Sequence, residues 1–142
     1  MKRLLIIFAA FTLAAGLAAG GFAATAKTPK NSTIMIRHQL RGCHTWSVNG
    51  GAYRATLSTS LARGGTITFM NMDVMPHKLV KTSGPAVHFA GKPNMSHMNA
   101  TVKVTFSKAG VYKFTTRPGE DYMKGMKTIG EDNVLRLTVK IS

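Results

Sequence analysis

The stretch LARGGTITFMNMDVMPHKLV, residues 61–80, holds a turn, a short β-rich run, a polar break and the start of a second run. Gly64-Gly65 supplies the turn, and Thr66-Ile67-Thr68-Phe69-Met70 has the β-branched and aromatic character of a strand. Pro76 breaks the chain, His77 to Lys81 resumes it, and Gly84-Pro85 ends it. Working outward, Thr33 to Arg37 is β-rich, and Tyr53, Ala55 and Leu57 alternate with polar residues. Val102, Val104 and Phe106 alternate with Thr101, Lys103 and Thr105, while Gly110 turns into Val111 to Thr116. Leu135, Leu137, Val139 and Ile141 alternate in the last run, Val134 to Ile141. This makes seven or so strands with no amphipathic helix, the pattern of an antiparallel β-sandwich or barrel. Residues 89–99 and 117–133 are the long connections, where function concentrates on such scaffolds.

The chain has 142 residues, 44% hydrophobic and 17% charged, enough for one core and one domain. Residues 1–26 read as a signal peptide: Lys2 and Arg3 precede an apolar run, and Ala24-Thr25-Ala26 offers a cleavage site. An uncleaved anchor is the alternative reading of that segment. Cleavage leaves residues 27–142 as the mature domain, periplasmic or secreted, with no later run long enough to span a bilayer. Nineteen basic against five acidic residues give a net charge of +14, which excludes an acid-rich calcium site. The basic residues are scattered along the strands and aromatics are few, so nucleic acid is not the expected partner. An acidic redox-partner protein or an anionic envelope surface suits the charge better, met by a monomer. No phosphate cradle, nucleophile elbow or His-Glu-x-x-His helix is present, so an enzyme is not expected. The one cysteine, Cys43, cannot form a disulfide within its own chain. In an exported protein it pairs between chains, reacts, binds a metal, or sits buried as a small hydrophobe.

Residues 61–80 resemble the cupredoxin segment in which a Gly turn and a strand precede an Asn-x-Asp loop and a copper-binding His, here His77. Thr105-Phe106 through Gly110 to Thr116 is similar to the strand pair that leads into the cupredoxin copper loop. Met123-Lys124-Gly125 resembles its Met-x-Gly. The resemblance implies a cupredoxin-like Greek-key β-sandwich of seven to eight strands, with copper as cofactor. It also implies a thiolate where this chain has Thr116, and a second His where residues 117–122 have none. Cys43-His44, after Gly42, offers replacements from the other end of the chain. The expected metal ligands are therefore Cys43, His44, His77 and Met123, with Met126, Asp121 or Met75 as alternatives for the fourth. Thiolate and thioether favour Cu(I), and imidazole serves both oxidation states. Structural roles stand beside these: His77 as a loop cap, His44 as a solvated turn residue, Met123 as core filler.

The function implied is one-electron transfer or copper handling at a non-standard site. A metal-free partner-binding module is one alternative. Another is a periplasmic Cu(I) chaperone using the Met and His residues of 70–98, among them Met70, Met72, Met75, His88, Met95, His97 and Met98.

Overall fold

The structure, a computed structural model, describes residues 27–38, 44–118 and 134–142. Among them are ten strands: β1 (Asn31–His38), β2 (His44–Val48), β3 (Thr56–Leu61), β4 (Thr66–Asn71), β5 (His77–Ser83), β6 (His88–Ala90), β7 (Asn94–Met95), β8 (Thr101–Thr105), β9 (Gly110–Pro118) and β10 (Arg136–Ile141). Sheet one has the order β2-β1-β4-β8-β6 and sheet two the order β3-β10-β9-β5-β7. From β3 to β9 each strand lies in the sheet opposite its predecessor, so strands returning to a sheet meet earlier ones across a crossover. Two of these meetings, β1 with β4 and β3 with β10, are parallel, and the other pairs are antiparallel.

The all-β sandwich is borne out, with ten strands in place of seven to eight. The short β6 and β7 fall largely in the stretch read as a long connection. β2 escapes a period-two reading because Thr45, Trp46 and Ser47 are all buried. Its outer face is covered as well as its inner one. Trp46 bridges Arg54, its Nε1 donates to the Ala55 carbonyl at 3.2 Å, and the Arg37 guanidinium lies 5.7 Å from the Tyr53 ring centre.

Inward-facing residues of the two sheets meet in one core. Ile34, Ile36, Ile67, Phe69, Val102 and Val104 come from sheet one, and Leu79, Tyr112, Phe114, Leu137 and Val139 from sheet two. Phe106 packs edge-on against Tyr112 at 4.9 Å and Phe114 at 6.0 Å between ring centres. The Tyr112 hydroxyl leaves the core to donate to the Lys108 carbonyl at 2.6 Å, which satisfies its one polar atom. Gly84, at φ +99°, lets the end of β5 press against β9. A Cβ there would stand 2.5 Å from the Val111 carbonyl oxygen and 2.8 Å from Tyr112 Cα. Gly84→Ala is therefore expected to cost on the order of 2–4 kcal/mol in equilibrium denaturation, from backbone strain and overpacking together.

Candidate metal centre

At one end of the sandwich the inward-facing files of four strands change from apolar to polar. β4 runs Ile67, Phe69, Asn71; β1 runs Ile34, Ile36, His38. β2 places His44 in line with Trp46, and β5 places His77 in line with Leu79. His38 and His44 are direct cross-strand partners at the neck of the β1–β2 hairpin. Pro76 keeps the preceding loop out of the ladder, because it has no N–H to give, and His77 opens β5 immediately after it.

The loop between β4 and β5 is built on Asn71, which is fully buried. Its Nδ2 donates to the Met75 carbonyl at 2.8 Å and the Met95 carbonyl at 3.1 Å, while its Oδ1 accepts from the Asp73 N–H at 2.9 Å. The loop so held turns the Asp73 side chain inward, also fully buried. Asp73 Oδ1 accepts from the Met75 N–H at 3.1 Å. Asp73 Oδ2 meets two imidazoles at once, His44 Nδ1 at 2.9 Å and His77 Nε2 at 3.1 Å. His38 Nδ1 stands 4.0 Å from Oδ1. The His44 ring is edge-on to His77 at 4.7 Å and to His38 at 6.3 Å between centres.

Burial by itself pushes the Asp73 carboxyl upward. The hydrogen bonds from His44, His77 and the Met75 N–H, with the charge of His77, outweigh it and hold the group well below the usual carboxylate range. A permanent acceptor between two imidazoles fixes their tautomers. When Asp73 accepts hydrogen bonds from His44 Nδ1–H and His77 Nε2–H, the lone pairs sit on His44 Nε2 and His77 Nδ1. This is the arrangement by which a carboxylate orients metal-binding histidines.

Of the four residues expected at the metal, the structure brings His44 and His77 together. Cys43 and Met123 lie outside the described residues, as do Asp121 and Met126. Met75 contributes its backbone to the loop, and its side chain is half-buried. Thr116, at the position of the family's thiolate, pairs with Leu79, two register steps from the His77–Pro118 pair. Met95 is fully buried in the core on β7, which removes it from any exposed methionine cluster.

Sequence reasoning missed two members of the site, Asp73 and His38. A signal for Asp73 was present in the charge distribution. Asp73 is the only acidic residue before Glu120, the other four, Glu120, Asp121, Glu131 and Asp132, all falling in 119–133. His38, His44 and Asp73 present ligand atoms that all lie within 4.8 Å of one another. This donor set fits copper: imidazole and carboxylate both bind the divalent ion, and Cys43, adjacent to His44, is the soft donor nearest in sequence.

A model of copper-binding proteins of the plastocyanin/azurin family matches residues 48–130. Amicyanin-alpha of Methylorubrum extorquens is 28% identical over 117 residues, covering 82% of this chain and 87% of its own. Among solved structures, a purple cupredoxin from Nitrosopumilus maritimus is 18% identical with a TM-score of 0.44, covering 78% of this chain and 99% of its own. A reduced amicyanin variant is 16% identical with a TM-score of 0.41, covering 78% of this chain and 82% of its own.

Proposed function

The chain belongs to the plastocyanin/azurin family of copper-binding proteins, and from that premise we propose that it is an exported one-electron carrier or copper handler with a relocated metal site. Cys43, His44, His77 and Met123 are its ligands. The observation that carries the reading is the shared hydrogen bonding of His44 and His77 to Asp73 Oδ2. It joins the residue that follows Cys43 to the histidine that follows Pro76. Bound copper supplies a one-electron couple. Asp73 holds the two imidazoles in fixed tautomers, and their seat on β2 and β5 limits rearrangement between oxidation states. Titration of the purified domain with Cu(II) tests this: one equivalent is expected to raise an intense thiolate-to-copper band in the visible. Failure to take up copper in either oxidation state overturns it. Uptake of Cu(I) without a visible Cu(II) band favours a chaperone, a reading weakened by the burial of Met95.

The same reading takes residues 1–26 as a cleaved signal peptide and 27–142 as a periplasmic or secreted domain. No helix among the described residues is long and apolar enough to cross a membrane. An acidic partner or an anionic envelope surface would meet sheet two. Cations scattered in the sequence gather on its outer face through the strand register. Thr138 pairs with Lys113 and Lys140 with Val111, so Lys140, Lys113, Arg136 and Arg117 form a diagonal file along β9 and β10. Arg117 stands opposite Lys78, which follows His77, so the file runs up to the metal end. Diagonal neighbours in such a pair of strands lie about 7–8 Å apart. Reversing two of these charges, Lys113→Glu with Arg136→Glu, is expected to weaken binding to phosphatidylglycerol-containing vesicles at low salt by at least about tenfold. A co-sedimentation series in increasing salt measures it.

A further inference from the structure

We infer that His38, with Asp73 and His44, forms an outer capture site through which divalent copper reaches the inner ligands, an inference that rests on the copper reading above. The three imidazoles form a series of decreasing exposure. The His38 side chain is 53% exposed, His44 12% and His77 4%. Asp73, itself without exposure, lies against all three, at 4.0, 2.9 and 3.1 Å. A carboxylate oxygen is thus within reach of every ring from solvent to interior. Among the described residues Asp73 is the only carboxylate side chain, in a chain of net charge +14. Of the three rings against that negative group His38 is the most exposed, so it is the one an arriving divalent ion meets first. Two imidazoles and a carboxylate suit Cu(II) rather than Cu(I). Closing the present separations of up to 4.8 Å to the about 3 Å between neighbouring ligands of one ion requires rotation of the half-exposed His38. A surface side chain does this within nanoseconds.

The test is the rate of metal uptake. Copper-free protein is mixed with Cu(II) in a stopped-flow instrument and the visible band followed. His38→Ala is expected to slow the second-order uptake about tenfold or more, with the same final band. His88→Ala, which removes an exposed histidine on β6 far from Asp73 in the register, is expected to leave the rate unchanged. A second measurement isolates the outer site. Cys43→Ser should bind one Cu(II) with the paramagnetic resonance of nitrogen and oxygen ligation, and the double variant Cys43→Ser/His38→Ala should lose it. An unaltered uptake rate in His38→Ala overturns the inference. So does loss of the final band in that variant, which makes His38 a permanent ligand, and so does a Cys43→Ser protein that binds no Cu(II). In each of these cases the copper reading survives. Native protein that takes up no copper brings both down.

Discussion

Replacing Cys43 with Ser is expected to abolish the intense visible absorption of the copper-loaded protein. The band arises from charge transfer between a thiolate and Cu(II), and Cys43 is the chain's one cysteine, so no other side chain can restore it. Thr116 occupies the place where the family carries its thiolate, and a hydroxyl neither ionises at neutral pH nor supplies a soft donor. Ion that remains on His38, His44 and Asp73 would be pale, with a resonance typical of nitrogen and oxygen ligands. The variant should also favour Cu(II) over Cu(I), lowering the reduction potential measured by equilibrium titration. A visible band that persists in Cys43→Ser removes the thiolate from the site and with it the relocated centre. Gel filtration under non-reducing conditions separates the remaining role, since a cysteine that bridges two chains yields a dimer that the Ser variant lacks.

Asp73→Ala is expected to be the most destabilising change at the metal end, by about 3–5 kcal/mol in the copper-free protein. It removes the shared acceptor of two nearly buried imidazoles and of the Met75 N–H in one step. For a domain of this size that is a fall in Tm of roughly 10 °C or more. Copper affinity should drop about 10–100-fold as the rings lose their orientation. Asp73→Asn preserves volume and offers one acceptor oxygen, so it should fall between the native protein and Asp73→Ala in both measurements. The acid limb carries a further signature. The folded pKa of Asp73 is lowered, so its contribution is complete above the unfolded value, about 3.9, and is lost as pH falls toward the folded one. Unfolding curves between neutral pH and acid should therefore be flatter in Asp73→Ala. Native-like stability in that variant would mean that the β4–β5 loop is held by Asn71 alone.

Much of the fold was legible because β4, β8, β9 and β10 each bury one face, and period-two alternation records that directly. β2 was not, since Thr45, Trp46 and Ser47 are all buried and leave no alternation to read. Nor were β6 and β7: three- and two-residue strands are too short to carry a pattern. At the site, His77 was legible from Pro76 and the Asn-x-Asp loop, whose spacing follows from Asn71 bonding to residues 73 and 75. His44 was legible only through its neighbour Cys43. His38 is six positions earlier, and nothing in the linear order says that the two face one another across a hairpin neck. The file of cations on sheet two was hidden for the same reason. Lys113 and Arg136 are far apart along the chain, and only the register makes them neighbours.

β10 is the last strand in chain order, yet it lies inside sheet two, hydrogen-bonded to β3 on one side and β9 on the other. A polypeptide emerging from a ribosome thus holds β3 and β9 as open edges until residues 136–141 arrive between them. Closure of the sandwich waits on that strand, and the earlier strands are made before their contacts can be completed. Clipping the chain just before Arg136 should accordingly yield an aggregation-prone species rather than a slightly shorter copy of the domain.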